Sequence, residues 1–598
     1  MRKTGKIVKI LLGTAVLSFI LASCATMPKR AEDLAPDDYG FTREYITWLI
    51  KKEMKHRGVT GLSIALVDDQ RVVWAEGFGF ADKANEVAAT PETIYRAGSI
   101  SKLFTATAAM QLAEQGKLDI DKPLQSYLPE FSIRSRFKDS SAITPRTIMT
   151  HHSGLPSDLR KGMWTTDPQP FETVVEQLKD EYVATPPGYI FAYSNLGVTL
   201  LGHALERVAG QSYSSYMAAS ILSPLGMTYS SFSQEPDHSF LAAKAYRNCK
   251  EVDEPALRDI PAGGLNTTVL DLSRFMQMVF AGGRTEKRQI IKSETLAEML
   301  RPQNENVPLD LENRIGLAWG LGSTDIQNAG PVASHGGATI CHRSSLIVLP
   351  DHKLGIVVLA NSATAGSVVH KVAIETLKLA LKTKSGIKQL EQQIVDIPHE
   401  VTLPYDVLQG YEGRYYTLEG VVDVSYESGY LQAEVKKKPV LLVPRADGLF
   451  YLKYRMLGLV PISLGELDKI GISRATIMGR EILKARVNGR EIIAGERMQP
   501  VKVSKKWLQR VGKYEIINQG KDALAIDNFR LRHDDGLLFV EYSNPLFASG
   551  TMRLVVEPIS DSEVVISGLG RGRGETIRMV NEHGEDLFRY SGYLFRKI

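Results

Sequence analysis

The sequence predicts an α+β fold in which an antiparallel sheet flanked by helices is followed by an all-β, barrel-like C-terminal region. Two observations lead to this prediction. Strand patterns stand at both ends of the first 380 or so residues with helical patterns between them, so one sheet would join the two ends of this part. Beyond Pro404, short strand patterns alternate with Gly, Asn and Asp, which is typical of antiparallel barrels.

The first part of the chain opens with a predicted hairpin. Residues 62–67 and 71–76 are rich in apolar residues and enclose the turn sequence Asp68-Asp69-Gln70. Two helices ended by glycine, a second hairpin and a closing helix follow at residues 103–115, 196–208, 344–349 with 354–360, and 368–381. The two hairpins would supply the sheet, and the helices would cover it.

Polarity rises at residues 382–393, where the helical pattern fades, and this predicts a domain boundary. We therefore expect a first domain at 39–383, a linker at 384–404 and two β-rich domains at 405–500 and 501–598. Leu408-Gln409 with Gly413-Arg414-Tyr415 resembles Leu508-Gln509 with Gly512-Lys513-Tyr514, about one hundred residues later. Such an offset predicts a duplicated β unit.

The N-terminus carries four basic residues and then an apolar run at 10–22, which is too short to span a bilayer as a permanent helix. Leu21-Ala22-Ser23-Cys24 resembles a bacterial lipobox. We expect residues 1–23 to be a lipoprotein signal peptide, Cys24 to be lipidated as a membrane anchor, and 24–38 to be a tether. Because Ala25 follows, the protein would face the periplasm from a Gram-negative outer membrane, or lie on the outer face of a Gram-positive cell membrane. The alternative is an ordinary signal peptide with an incidental cysteine.

The formal net charge of +4 equals the charge of the four basic residues in that segment. The remainder is near neutrality, so a nucleic-acid partner is disfavoured. Cys249 and Cys341 allow at most one internal disulfide, and their pairing stays open. The adjacent His151 and His152 suit a loop better than a metal pair, so we expect neither a metal nor a cofactor.

Ser99-Ile100-Ser101-Lys102 opens an apolar helix and is the first of four short motifs. A serine hydroxyl is a poor nucleophile at neutral pH, and a lysine three residues later on a helix lies on the same face. At a helix N-terminus, unpaired amides and the dipole favour the negative charge that develops during acylation. This pattern indicates a serine acyl-transfer site.

Three further motifs follow in order: Tyr193-Ser194-Asn195, Gly263-Gly264-Leu265 and His335-Gly336-Gly337. Each motif is short, so the interpretation depends on its context in the chain: a helix pattern follows Tyr193 and a hairpin pattern follows His335. Gly-x-Ser-x-Gly and His-Glu-x-x-His do not occur, so an α/β-hydrolase elbow and a zinc hydrolase have no support. Gly263 and Gly264 would permit a tight loop.

On these motifs the chain resembles the serine β-lactamase and penicillin-binding-protein superfamily. It is most similar to class C β-lactamase-like peptidases and esterases with the transpeptidase-like sheet, and its tail resembles their lipocalin-like barrels. The resemblance implies Ser99 as nucleophile and Lys102 as its activating partner. Tyr193 would be general base and leaving-group donor, with its phenol pKa lowered by a neighbouring ammonium. Substrate and oxyanion contacts would come from Asn195, His335, Gly336, Gly337 and Ala338.

The resemblance implies an acyl-enzyme hydrolase acting on a small-molecule or peptide substrate, with D-aminopeptidases, carboxypeptidases and esterases as models and cell-wall peptides as a plausible source. Where β-lactamases resemble Lys-Thr-Gly, this chain has His335 and Gly336, and His335 would titrate near neutral pH. Carboxylate recognition at this motif should therefore be weaker. The alternatives are a β-lactamase, or a binding or scaffolding lipoprotein with little turnover. The oligomeric state stays open.

Overall fold

The computed structural model describes the chain from residue 27 to 598 except for 29–36, 139, 323–324, 390–396, 418–419, 428, 436–437, 457–459, 463–464, 548–549 and 583. The expected signal peptide, Cys24 and most of the tether lie outside these residues. Within the described part, no helix combines the length and apolar character needed to cross a membrane. Cys249 is exposed, Cys341 is buried, and the two are free thiols.

An eight-stranded antiparallel sheet forms the centre of the first domain within the described residues. Its strands in chain order are β1 (Gly61–Asp68), β2 (Arg71–Asp82), β3 (Val87–Ala88), β4 (Arg314–Ile315), β5 (Gly320–Leu321), β6 (Ala333–Ala338), β7 (Arg343–Leu349) and β8 (Leu354–Ala360). Their spatial order is β4-β5-β6-β7-β8-β1-β2-β3. Strand β1 pairs with β8, with Leu62 opposite Ala360, so the sheet joins the two ends of the domain as predicted.

Helices cover both faces of this sheet. The longer ones are α1 (Gly40–Arg57), α2 (Ser101–Glu114), α3 (Asn195–Ala209), α4 (Val269–Phe280), α5 (Ser293–Leu300) and α6 (Gly366–Ser385). Single turns occur at Pro145–Met149, Val174–Gln177, Tyr213–Met217, Ser223–Leu225 and Ile260–Gly263. On β1, Ile64 and Leu66 face α1 and α6, whereas Ala65 and Val67 face the core that contains α2, α3 and α4. The alternation explains why β1 is buried along its whole length.

The first β-rich unit is a closed barrel of eight strands with one strand added at its edge, counted over the described residues. The strands are β9 (Gly413–Thr417), β10 (Gly420–Glu427), β11 (Tyr430–Val435), β12 (Lys438–Pro444), β13 (Phe450–Met456), β14 (Val460–Ile462), β15 (Gly471–Ile477), β16 (Arg480–Val487) and β17 (Arg490–Arg497). β17 pairs with β9 and closes the barrel, while β14 pairs with β13 alone.

The second unit is a closed eight-stranded barrel of consecutive antiparallel neighbours among the described residues. Its strands are β18 (Gly512–Ile516), β19 (Asp527–Asp534), β20 (Leu537–Ser543), β21 (Thr551–Pro558), β22 (Glu563–Ile566), β23 (Thr576–Glu582), β24 (Glu585–Tyr590) and β25 (Tyr593–Lys597). Closure leaves this second barrel without an unpaired edge among the described residues, which is how all-β units avoid strand addition.

The two barrels begin in the same way, as the repeated sequence predicted. A short helix, Tyr405–Gln409 or Lys505–Gln509, leads into the first strand of each. The tyrosine hydroxyls then donate back along the chain, Tyr415 to the carbonyl of Tyr411 at 2.8 Å and Tyr514 to that of Arg510 at 2.5 Å. The fold class and the duplication are therefore confirmed.

A loop of the first domain, residues 157–166, is seated against the second barrel. Lys161 Nζ and the amide of Gly162 both reach Asp522 Oδ2, at 2.9 and 2.8 Å. The guanidinium of Arg160 donates to the hydroxyl of Tyr542 at 3.0 Å. Ion pairing and directed hydrogen bonds thus hold the second barrel in one orientation beside the first domain.

Candidate active site

Ser99 lies in a 3-10 turn, Gly98–Ile100, directly before α2. Gly98 has φ 57°, and a Cβ there would lie 2.7 Å from the amide nitrogen of Ala338 on β6. Glycine therefore lets the serine turn press against the sheet. The buried hydroxyl of Ser101 donates to the carbonyl of Gly98 at 2.7 Å and fixes the turn. The serine is half-buried at the start of the helix, as predicted.

Lys102 is buried, and its Nζ has three partners. These are Asn195 Oδ1 and the carbonyl of Ala262, both at 2.7 Å, and Ser99 Oγ at 3.1 Å. A neutral amine has two N–H donors and one lone pair. The two carbonyl oxygens accept both donors, so the lone pair of a neutral Lys102 faces the serine hydroxyl.

The electrostatic surroundings favour that neutral form. Burial, followed by the positive charge of Arg571, lowers the pKa of Lys102 to about 7, against the opposing charges of Asp158 and Asp259. A buried amine with a pKa near neutrality is a competent proton acceptor. Lys102 is therefore an amine within 3.1 Å of Ser99 Oγ that is able to accept a proton near neutral pH.

Tyr193 stands immediately before α3, whose N-cap is Ser194. The Ser194 hydroxyl accepts from the amide of Gly197 at 2.9 Å, which places the tyrosine just outside the helix. Tyr193 hydrogen-bonds Ser99, and its ring centroid lies 4.9 Å from Lys102 Nζ. The predicted lowering of its pKa is wrong. Burial raises the pKa of Tyr193 to about 12, and the Ser99 hydrogen bond and the charge of Arg571 only partly offset this. A neutral phenol is a donor rather than a base.

Asn195, the first residue of α3, links Lys102 to a carboxylate that sequence reasoning missed. Its Nδ2 donates to Asp158 Oδ1 at 2.7 Å while its Oδ1 accepts from Lys102. Burial alone would raise the pKa of Asp158, but the charges of Arg571 and Arg160 outweigh it and lower the pKa. An ionised Asp158 therefore fixes the orientation of the Asn195 amide, and through it the position of Lys102.

Strand β6 brings His335, Gly336, Gly337 and Ala338 to the opposite wall of the cavity. A Cβ on Gly337 would lie 2.0 Å from the carbonyl of Ala97, so only glycine lets β6 approach the serine turn. His335 is not a group that titrates near neutral pH, contrary to the prediction. Burial, and then the charge of Lys102, lower its pKa to about 4. His335 is therefore neutral at physiological pH.

His151 and His152 have protein partners. His151 Nδ1 accepts from the amide of Ser194 at 3.2 Å, and its ring lies 4.2 Å from that of Tyr193 between centroids. His152 Nε2 pairs with Asp310 at 2.8 Å. Within the described residues, no group of three or more His, Cys, Asp or Glu side chains is arranged to hold a metal ion.

The site opens into a cavity of about 900 Å³ that both the first domain and the second barrel line. The first domain contributes Ser99, Tyr193 and Asn195 to its lining, and the barrel contributes Arg571, Gly572 and Tyr590. The structure thus brings together Ser99, Lys102, Tyr193, Asn195 and residues 335–338. Sequence reasoning missed Asp158 and Arg571. The repeated glycines of Gly568-Leu569-Gly570-Arg571-Gly572-Arg573-Gly574 are a signal that could have drawn notice to this loop.

Glu254 holds the loop that follows β6, the strand that forms one wall of the cavity. It accepts from the amide of Cys341 at 2.8 Å and from His342 Nδ1 at 2.9 Å, and it lies 3.5 Å from Arg96. Burial would raise its pKa, but the hydrogen bond and charge of His342 and the charge of Arg96 lower the pKa to about 2.

We expect Glu254→Gln to reduce the free energy of unfolding by about 1–3 kcal/mol, because an amide carries no charge to balance Arg96 and offers a single oxygen where Cys341 and His342 now bond to two. Urea denaturation at pH 7 measures this loss, with Glu251→Gln, at an exposed residue of the same domain, as the control. The pKa of Glu254 is lower in the folded protein than in the unfolded chain. The stabilisation from its charge is therefore present above about pH 4.5 and is lost as the pH falls toward 2. Equal stability of the two variants would contradict the role given to Glu254.

Comparisons with known proteins find relatives of part of the chain. "Protein flp" of Staphylococcus aureus (strain NCTC 8325 / PS 47) is 27% identical over 327 residues, covering 54% of this chain and 63% of that protein. "Beta-lactamase-like protein 2" of Dictyostelium discoideum is 28% identical over 297 residues, covering 47% and 53%. The chain therefore spans about half to two thirds of the length of these relatives.

Among solved structures, SurE in complex with D-Leu has a TM-score of 0.53 at 20% identity and covers 77% of this chain and 100% of that one, a likeness of fold. The model of the Beta-lactamase family matches residues 46–379, more than half of the chain, and these are the residues that carry the sheet, the serine turn, Tyr193 and β6. The chain belongs to the Beta-lactamase family.

Proposed function

We propose that the protein is a serine hydrolase that forms an acyl-enzyme at Ser99 on peptide, amide or ester substrates, in the manner of D-aminopeptidases, carboxypeptidases or esterases. The observation that carries this proposal is the contact between Ser99 Oγ and the buried amine of Lys102, over 3.1 Å. Tyr193 completes the group through its own hydrogen bond with Ser99. A nucleophile within reach of a base that a further polar group orients is the arrangement that covalent catalysis needs.

In acylation, neutral Lys102 takes the hydroxyl proton as Ser99 Oγ attacks the substrate carbonyl. The backbone amides of Ser99 and Ala338 would stabilise the oxyanion, since the turn packs directly against β6. Collapse of the tetrahedral intermediate breaks the bond to the leaving group. Tyr193 gives its phenolic proton to the leaving nitrogen or oxygen and regains one from protonated Lys102. The acyl group stays on Ser99, and Lys102 is neutral again.

Deacylation reverses these roles with water as the nucleophile. Lys102, through Tyr193, accepts a proton from the water that attacks the acyl-enzyme, and Ser99 leaves with the proton returned. The same sequence of steps cleaves amides and esters, which is why the proposal covers both. The cavity of about 900 Å³ is of the size that holds a short peptide or an ester of similar mass.

A covalent label tests the proposal. A fluorophosphonate reacts with activated serines, and we expect a single adduct on the peptide that contains Ser99. Ser99→Ala should carry no adduct, while Ser334→Ala, which removes another hydroxyl of the cavity wall, should be labelled like the wild type. An unlabelled wild type would support the alternative, a binding lipoprotein that has kept the fold.

A further inference from the structure

The loop between β22 and β23, residues 567–575, extends from the second barrel into the cavity of Ser99. The first domain holds it at two points. The amide of Gly572 donates to Ser157 Oγ at 2.8 Å, and Glu575 Oε1 accepts from the amide of Ser157 at 2.9 Å. A Cβ on Gly574 would lie 2.1 Å from the carbonyl of Ala184, so the loop sits tightly on the first domain. The side chain directly before the first of these anchors, Gly572, is thereby held in place.

That side chain is Arg571. Its guanidinium lies 4.9 Å from the ring centroid of Tyr193, the residue that hydrogen-bonds Ser99. It reaches Asp158 over 3.4 Å, its one ion pair among the described residues. The side chain is 54% exposed, so part of its fork of N–H donors faces the cavity rather than protein. An exposed guanidinium beside the reacting atoms is placed to bind a ligand.

The charge of the cavity wall points to the sign of that ligand. Four arginines and two aspartates line it: Arg160, Arg343, Arg571, Arg573, Asp158 and Asp259. Arg160 donates to Tyr542, Arg343 to the carbonyls of Thr339 and His342, and Arg573 to the carbonyl of Ser567. The excess of positive charge favours an anionic substrate, and the exposed fork of Arg571 matches a carboxylate in shape.

We propose that Arg571 binds a carboxylate on the leaving group of the substrate, so that the preferred substrates end in a free carboxylate next to the scissile bond. This assignment rests on the proposed function, in which Tyr193 protonates the leaving group. Because Arg571 stacks near Tyr193, the carboxylate it holds belongs to that half of the substrate. The second barrel would thus supply a specificity residue to the active site of the first domain.

A competition assay on the full chain separates this assignment from the proposed function. Hydrolysis of p-nitrophenyl acetate reports on Ser99, and the competitors are N-acetyl-D-alanyl-D-alanine and its C-terminal carboxamide, with the L isomers run in parallel. The measured quantity is the ratio of the two inhibition constants. We expect the carboxylate to bind roughly 10- to 100-fold tighter than the carboxamide in at least one stereochemical series, as for one charge-assisted, bidentate contact.

In Arg571→Gln this ratio should fall close to one. Arg571→Lys should retain part of it, since a lysine keeps the charge but not the fork. Arg596→Gln removes an arginine of the same barrel that pairs with Glu515 outside the cavity, and it should keep the wild-type ratio.

A ratio near one in the wild type would overturn the assignment, and so would a ratio that Arg571→Gln leaves unchanged. Serine-dependent turnover of the ester would still support the proposed function in either case. Equal weakening of both competitors in Arg571→Gln also overturns it, because it shows that the arginine only seats the loop. Absence of Ser99-dependent turnover would overturn the proposed function, and the assignment with it.

Discussion

Replacing Ser99 with alanine is expected to reduce turnover of every substrate by roughly 10⁴- to 10⁶-fold, the range typical of removing the nucleophile from a serine hydrolase. The reason is structural. Ser99 Oγ is the atom that both Lys102 and Tyr193 address, and no other hydroxyl makes these two contacts among the described residues. The measurement is kcat/KM for a nitrophenyl ester and for D- and L-aminoacyl amides.

The matched control is Ser334→Ala, which removes a hydroxyl from the cavity wall on β6 without touching Lys102 or Tyr193. Its kcat/KM should remain within a few-fold of the wild type. Ser99→Ala should still bind substrates although it no longer turns them over, because the cavity loses a single oxygen atom. A Ser99→Ala variant that keeps more than a small fraction of wild-type turnover would show that the reaction uses another nucleophile.

The sequence predicted well those parts of the fold that short-range patterns determine. The turn at Asp68-Asp69-Gln70 separates β1 from β2, and the run of Val and Ile in residues 354–360 forms β8 with the same bounds. The repeated Leu-Gln and Gly-x-Tyr stretches predicted two similar barrels, because each stretch is a helix end followed by a first strand. Ser99 and Lys102 could be paired because three residues on a helix fix their separation.

The electrostatics of the site could not be predicted in the same way. A phenol beside an ammonium should have a lowered pKa, but burial raises the pKa of Tyr193, and burial also lowers the pKa of Lys102, the expected ammonium, to about 7. Desolvation depends on everything packed around a group, which no local motif encodes. The same reasoning applies to His335, whose neutral state follows from burial beside Lys102.

Contacts between domains were equally out of reach. Arg571 and Tyr193 are nearly four hundred residues apart in the chain, and the loop that joins them in space is anchored through Ser157. Because residues 157–166 pack against the barrel, Asp158 lies between Arg571 and Asn195 and contacts both. A continuous series of polar contacts therefore connects Arg571 of the barrel with Lys102, through Asp158 and Asn195. The barrel thus affects the electrostatics of the site as well as its shape.

The pH dependence of catalysis is expected to show an acidic limb near pH 7, set by Lys102. In the proposed mechanism its neutral form is the base, so kcat/KM should rise as pH increases through about 7 and level off above it. The pKa of Lys102 depends on the charges of Arg571, Asp158 and Asp259. The charge of Lys102 in turn lowers the pKa values of His151 and His335. Both histidines have lowered pKa values, so neither should produce a limb near pH 6.5.

If a Tyr193 phenolate were the base instead, its pKa of about 12 would make activity keep rising well above pH 9. Two substitutions separate the two mechanisms. Lys102→Arg keeps a cation but cannot lose its proton, and Lys102→Met keeps the length of the side chain without charge. With Lys102 as the base, both variants should lose about 10²- to 10⁴-fold in kcat/KM. A Lys102→Arg enzyme far more active than Lys102→Met would instead assign the lysine an electrostatic role, since only the charge would then matter.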